Sequence, residues 1–225
     1  SKALQYVKLL KDGSFVGTFF RVRPSKKTPI TFREMTFMDK ILLHSCCAPC
    51  SVYCVDTLRG EGIEPVSLWF NPNIHPWTEY DQRRSTLLEY GEKERVEVHI
   101  LEDYGLRDFV RAVAADIDHR CEKCYEMRLE QAARFAAENG FDSFTSTLFV
   151  SPYQQHDRMA QIADQAGHKW GVEFLYRDFS PGFRAGQQRV RELGLYMQKY
   201  CGCIFSEEDS YGKPIRLDQQ EPLKQ

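Results

Sequence analysis

The amino-acid sequence predicts an α/β protein, a parallel sheet wrapped by helices. Short apolar runs rich in Val, Ile, Leu and Phe alternate with amphipathic stretches of about ten to twenty residues, and such alternation builds a parallel sheet because each crossover needs a helix-length connection. At 225 residues, 42% of them hydrophobic and 13% aromatic, the chain is also long enough to bury one sizeable core.

The strands are expected at KILLHS (40–45), EPVSLWFN (64–71), RVEVHIL (95–101), DSFTSTL (142–148) and VEFLY (172–176). Helices are expected near 51–60, 78–91, 106–117, 122–139, 156–168 and 184–194. Within residues 1–37, YVKLLKDGSFVGTFFRVR stands outside this alternation and reads as two strands around a Lys-Asp-Gly-Ser turn. The organisation is thus a basic N-terminal extension (1–37), an α/β domain (38–211) and a polar tail (212–225), with irregular structure expected after Ser206.

Charge supports that division. Residues 1–37 hold eight Lys or Arg against two acids, so a whole-chain charge of -2 leaves the remainder at -8. No apolar run approaches the roughly 20 residues that span a bilayer, and no secretory signal pattern opens the chain. A cytosolic protein without membrane attachment is expected. In a reducing compartment, closely spaced cysteines serve metals or redox chemistry more often than structural disulfides.

Four of the eight cysteines fall in HSCCAPCSVYC, directly after the first strand: Cys46, Cys47, Cys50 and Cys54. Cys121 and Cys124 form RCEKC at a helix start, where free N–H groups and the helix dipole favour thiolates. Cys201 and Cys203 form CGC after the last expected helix. Eight thiols exceed one tetrahedral zinc site, so an iron–sulfur site is the leading reading, with structural zinc and packed thiols as the alternatives. Adjacent Cys46 and Cys47 are expected to point apart and so to serve two neighbouring metals, or one metal and one redox thiol. Cys46, Cys47, Cys121, Cys124, Cys201 and Cys203 are the candidate ligands, with Cys50 a seventh; Cys54, one turn after Cys50, is either a ligand or a packed small residue.

Open α/β sheets bind ligands beyond the carboxyl ends of their strands. The CCAPC, NPNIHP and SPYQQHD loops follow the first, second and fourth strands and should open on one face. There Asn71 and Asn73 can bond a base edge or sugar hydroxyl, and His75 is a binding residue or a turn histidine. Asp81 and Arg84 offer substrate or metal-shell contact, Asp81 alternatively capping its helix. Ser151 begins a rigid turn presenting Tyr153 and His156 as proton donors. Arg128, one turn after Cys124, binds phosphate, steadies a cluster's charge, or is simply a solvated arginine. Arg177, Arg184, Arg189 and Arg191, with the basic extension, are the candidate RNA contacts, and Trp77 and Tyr153 the candidate stacking aromatics.

Together HSCCAPC, WFNPNIHPWTEYDQRR, RCEKCYEMRL, FTSTLFVSPYQQHD and YCGCIFSEEDS resemble the epoxyqueuosine reductases of the QueH type, over roughly residues 38–211. The resemblance implies a fold like that of the adenine nucleotide alpha hydrolases (HUP fold). It implies reductive removal of the epoxide oxygen of epoxyqueuosine at the anticodon wobble position of tRNA. It further implies a [4Fe-4S] cluster beside a mononuclear iron, held by the cysteine motifs and, in some members, a nearby acidic side chain. Residues 1–37 lie outside it. Deoxygenation consumes two electrons and two protons, so an external electron donor, a reductant protein such as a ferredoxin or flavodoxin, is expected.

A nucleotide hydrolase of this fold would follow its first strand with a Gly- and Ser-rich loop cradling phosphate. Here the loop is CCAPC, in which proline removes an N–H and thiols fill the place of a pyrophosphate. ATP chemistry is therefore not expected, which disfavours an iron–sulfur tRNA-thiolating enzyme. A non-catalytic metal-binding or thiol-redox module is the remaining alternative.

Overall fold

The computed structural model describes residues 40–212. The expected hairpin within 1–37 and the tail from 213 onward lie outside the described residues.

Five strands, β1 (Lys40–His44), β2 (Glu64–Trp69), β3 (Val98–Ile100), β4 (Ser143–Ser146) and β5 (Glu173–Phe174), form one sheet in the order β3-β2-β1-β4-β5. Every pairing is parallel. This is the order of doubly wound nucleotide-binding folds, in line with the expected HUP-like arrangement. Central β1 is covered on both faces, and Ile41 through His44 are all buried, as a parallel strand between two helical layers must be.

The connections are α1 (Ala48–Gly60), α2 (Trp77–Glu94), α3 (Leu106–Val113), α4 (Arg120–Glu138), α5 (His156–Trp170), α6 (Phe183–Glu192) and α7 (Ile204–Tyr211). Helices α2 and α6 pack on α1, while α3 and α5 pack on α4, which gives one helical layer on each face of the sheet. Among the described residues no helix is long and apolar enough to cross a membrane.

Several boundaries differ from expectation for local reasons. Helix α1 begins at Ala48 rather than 51 because Pro49 occupies the first turn, where its missing N–H has no partner to lose. Strand β3 is shorter than 95–101 because α2 runs on to Glu94 and closes on Arg95 in the left-handed conformation at φ 57°. Strand β4 stops at Ser146, whose hydroxyl accepts the Leu148 N–H and turns the chain into a single 3₁₀ turn, Thr147–Val150. Where irregular structure is expected after Ser206, helix α7 instead carries the chain on as far as Tyr211. It is capped reciprocally: Cys203 Sγ accepts the Ser206 N–H at 3.3 Å, and Ser206 Oγ accepts the Gly202 N–H at 3.0 Å. Cysteine is not among the favoured capping residues, so composition concealed the helix start.

Helix α6 forms one wall of the site below, and glycine sets how closely it approaches α1. A Cβ at Gly182 would stand 2.1 Å from the ring of Tyr53. Gly182→Ala should therefore destabilise the protein by about 1–3 kcal/mol through overpacking, lowering Tm by roughly 2–4 °C per kcal/mol for a domain of this size. Thermal unfolding of the variant beside wild type measures it.

Candidate metal and substrate site

The chain leaves β1 towards β2 and leaves β4 towards β5, so the crevice of this doubly wound sheet opens between the ends of β1 and β4. There the β1–α1 turn delivers Cys46 and Cys47, and the first turn of α1 delivers Cys50. Their three sulfurs lie within 4.8 Å of one another and are buried. The expectation that Cys46 and Cys47 point apart is not met, because the backbone switches from strand to helix through an extended Cys47 and brings their sulfurs to 3.6 Å. Cys54 is fully buried outside this triad and donates its thiol to the Cys50 carbonyl at 3.2 Å. All eight cysteines are free.

The triad is electrostatically uneven. Hydrogen bonds from Cys47 and Cys50, followed by the charge of Arg128 and the hydroxyl of Thr147, hold the Cys46 thiol well below its ordinary pKa. Thr147 Oγ1, delivered by the turn after β4, donates to Cys46 Sγ at 3.4 Å and accepts the Cys46 N–H at 3.1 Å. Burial, with the neighbouring Cys46, pushes Cys47 well up; hydrogen bonding to Cys46 and Cys47 does the same to Cys50. Cys46 is thus the most acidic thiol of the triad, and Cys47 and Cys50 hold their protons more tightly.

The remaining cysteines approach from the other side. Cys121 and Cys124 lie on the first turn of α4, and both feel the charges of Cys201 and Cys203. Burial raises Cys124 to about 12, and Arg128 opposes the shift. Cys201 is exposed and lines a cavity with Cys46 and Cys50, where its thiol feels the charges of Arg128, Cys203 and Cys46. Arg128 joins the two groups. It is fully buried, donating through one Nη to Cys124 Sγ at 3.7 Å and through the other to Asn71 Oδ1 at 2.8 Å. Asn71 Nδ2 in turn donates to the Ser45 carbonyl at 3.0 Å. The solvated alternative for Arg128 is thus excluded. Below it His44 ties three strands together: its Nδ1 lies 2.9 Å from Ser146 Oγ and its Nε2 3.1 Å from the Phe70 carbonyl. Burial first, then Arg128, lowers His44 to about 3, so the ring is neutral.

A cavity of about 270 Å³ opens above the sulfurs of Cys46, Cys50 and Cys201. Of the sequence candidates, Arg128, Ser151 and Tyr153 also line it. Asn73 and His75 are buried but do not reach it; His75 packs on Tyr104 and Phe109, and burial lowers it to about 4. Asp81 and Arg84 bond each other at 2.9 Å on the outer side of α2, with Glu102 as the second partner of Arg84. His156 donates its Nε2–H to the Ser151 carbonyl at 2.9 Å and does not line the cavity. Trp77 packs tilted against Tyr80 and edge-on to Tyr104, also off the cavity.

Sequence reasoning chose Arg84 where the fold uses Arg83. Arg83 is 1% exposed, bonded to Glu79 at 2.6 Å, and donates to the carbonyls of Cys201 and Tyr200 at 2.9 and 3.0 Å. It therefore fastens the CGC segment over the triad. The signal was present: Tyr80, Arg83, Leu87 and Tyr90 fall at helical spacing, and a charge on an otherwise apolar stripe marks a buried partner. Gln154 and Gln198 were also missed. Tyr125 Oη donates to Gln154 Oε1 at 2.7 Å, aiming its amide N–H at Cys201 Sγ 3.5 Å away, and Gln198 Nε2 points at Cys50 Sγ at 3.6 Å. Such roles leave no pattern in a sequence.

This donor set fits a thiolate-binding metal group: converging sulfurs, N–H donors aimed at two of them, and two buried guanidinium groups to offset their charge. Cys46, Cys47 and Cys50 would hold it, with Cys121, Cys124, Cys201 and Cys203 at its other side. Because Cys47 and Cys50 carry raised pKa values, they are protonated at neutral pH, and a metal must displace those protons. Adding zinc to the metal-free protein in weak buffer should release about two protons from the triad, and affinity should rise with pH; a pH-stat titration reads both. Arg83→Leu should cost about 3–5 kcal/mol by removing the cation paired with half-buried Glu79 and the donor to the Tyr200 and Cys201 carbonyls, whereas Arg84→Leu, at a more exposed pair, should cost about 0–1 kcal/mol. Denaturant unfolding separates the two.

Comparison with known proteins agrees with this architecture. Residues 41–209 match the family model described as epoxyqueuosine reductase QueH. An epoxyqueuosine reductase QueH from Dehalococcoides mccartyi is 35% identical, over 78% of this chain and 96% of its own. One from Haemophilus influenzae is 33% identical, over 84% of this chain and 82% of its own. Among solved structures, the U34-tRNA thiolase NcsA from Methanococcus maripaludis with its [4Fe-4S] cluster superposes with a TM-score of 0.48 at 13% identity, over 75% of this chain and 62% of that one. With a family model spanning the whole sheet and relatives matched over most of both chains, this chain belongs to the epoxyqueuosine reductase QueH family, whose reaction is the reduction of epoxyqueuosine to queuosine.

Proposed function

We propose that the cavity above Cys46, Cys50 and Cys201 is where epoxyqueuosine in the anticodon of tRNA is deoxygenated, with a [4Fe-4S] cluster and an adjacent mononuclear iron held by the surrounding cysteines. The observation that carries this reading is the meeting of family membership with a cavity lined by Cys46, Cys50 and Cys201. At about 270 Å³ the cavity is smaller than most whole-ligand pockets. It suits the epoxide-bearing cyclopentane ring, with the base resting at the mouth against exposed Tyr153.

Conversion of the epoxide to an alkene takes up two electrons and two protons and releases water. An iron centre held by Cys46, Cys47 and Cys50 with the facing cysteines would supply electrons one at a time, drawn from an external reductant protein of the ferredoxin or flavodoxin kind, and Lewis acidity. The protein's own groups do the rest. Arg128 and Arg83 balance the thiolates' charge, while Gln154 and Gln198 donate to Cys201 and Cys50 and hold those sulfurs in place. Tyr153 and Ser151 face the cavity and are the proton-delivering and substrate-orienting groups. His156, bonded to the Ser151 carbonyl, braces their turn rather than meeting substrate. Asp81, paired with Arg84, and the buried Asn73 and His75 serve the frame. No nucleotide is needed: the Cys46 N–H is bonded to Thr147, and Pro49 offers none.

The test is anaerobic turnover on tRNA carrying epoxyqueuosine, with a chemical or flavodoxin-type reductant and no ATP, read by nucleoside mass spectrometry. Loss of one oxygen is expected; an ATP requirement with gain of sulfur would assign the thiolation chemistry instead. Tyr153→Phe should slow turnover by about 10²-fold at unchanged iron content, while Asp81→Asn stays within about 2-fold, as expected for an exposed ion pair. Equal effects of the two would return the proton role to α2.

A further inference from the structure

We infer that the RNA strand bearing the target nucleotide lies along the outer face of α6, contacting Arg184 and Arg191 there and Lys199 at the cavity mouth. The inference rests on the tRNA reading above and names the surface that reading needs.

Helix α6 seats on α1 through Gly186 and Val190, both buried. Phe183 and Gln187 line the cavity beside that seam. Stepping round the helix at about 100° per residue, the next positions outward from Gln187 are Arg191 and Arg184, and both are exposed. Beyond them the surface changes character. Gln188 bonds Glu192 at 3.2 Å, and Arg189 is engaged by Glu94 at 3.4 Å and Glu192 at 3.8 Å. Arg177 is likewise bonded to Glu61 at 3.1 Å. Of the four arginines in this region, two are neutralised by carboxylates; Arg184 and Arg191 have no such partner among the described residues.

The cavity lining sharpens the contrast. Its charged members are Arg83, Arg128 and Lys199, and no carboxylate lines it, although the chain after residue 37 is net acidic. Arg83 and Arg128 are committed to carbonyls, Asn71 and sulfur. Lys199 is exposed at the mouth. A cationic strip of Arg184, Arg191 and Lys199 thus borders an opening in an acidic body, the arrangement that draws in a polyanion. The same border carries Tyr153, 82% exposed and edge-on to Phe183 with ring centroids 5.9 Å apart. Cations beside an exposed aromatic fit phosphates flanking a splayed-out base, and so favour single-stranded RNA over an acidic protein.

The experiment uses the full chain and an unmodified tRNA transcript as probe, with Kd measured from 50 to 200 mM salt. An Arg184→Gln, Arg191→Gln, Lys199→Gln triple variant should bind at least about 10-fold more weakly at low salt. Its log Kd against log salt plot should flatten by about 2, at about 0.7 per lost single-strand phosphate contact. An Arg177→Gln, Arg189→Gln double variant, which removes the same kind of charge from ion-paired positions, should keep the wild-type slope. An unchanged slope in the triple variant, or an equal change in the double, overturns the inference. So does an unchanged RNA slope with reduction lost only when an acidic protein is the donor, which would make this the donor's face. If wild type reduces epoxyqueuosine in tRNA while the triple variant keeps its slope, the strip is wrong and the function stands; if wild type binds no tRNA and reduces only the free nucleoside, the tRNA reading falls and this inference with it.

Discussion

The buried guanidinium of Arg128 is the interaction on which the site depends. Sulfur ligands gathered in a dry crevice carry negative charge that water cannot screen, and an unpaired buried charge is among the costliest things a protein can hold. Arg128 meets that demand from the centre. It touches Cys124 on α4, lies within electrostatic reach of Cys46 and Cys201, and is itself held by Asn71. Because Asn71 also grips the Ser45 carbonyl, one side chain couples the turn after β1, the turn after β2 and the start of α4.

Arg83 does the complementary work from α2. Its two amino groups clamp the carbonyls of Tyr200 and Cys201, and Tyr196 completes the enclosure by donating to Glu79 at 2.6 Å. The CGC segment belongs to no strand; this clamp holds it together with the His75 N–H, which donates to the Gly202 carbonyl at 2.8 Å. Neutral His44 plays a third part: bonded to Ser146 and to the Phe70 carbonyl, it aligns the ends of β1, β2 and β4 from which the site loops spring. The frame under the sulfurs is therefore polar, hydrogen-bonded and rigid, which is how a metal site's outer contacts orient its ligands.

The fold adapts a common architecture by exchanging the contents of one turn. Doubly wound sheets offer a crevice where the strand order reverses, and nucleotide-binding members fill it with backbone N–H groups around phosphate. Here the Ser45 N–H pairs with the Leu68 carbonyl, the Cys46 N–H is taken by Thr147, Pro49 supplies none, and sulfur lines the crevice. The proposed reductive chemistry would thereby stand where phosphate chemistry usually does. Thr147 owes its place to the 3₁₀ turn that ends β4 at Ser146.

What the sequence determined by itself was periodicity and ligand chemistry. Alternating strand and helix patterns made the parallel sheet legible, and the cysteine motifs made a candidate metal site legible, because both are local: a strand, a helix turn or a C-x-x-C pair lies within a few residues. Tertiary structure alone decided which polar residues meet the sulfurs. Arg83 and Arg84 are adjacent and chemically identical, yet a rotation of about 100° along one helix puts one in the site and the other in a surface ion pair. Asn73 and His75, in a loop that promised binding residues, are turned into the interior. Gln154 and Gln198 reach sulfurs 47 and 148 residues away in the chain. Contacts at such separation are set by how the layers pack, and packing is a property of the whole core that no local pattern of residues encodes.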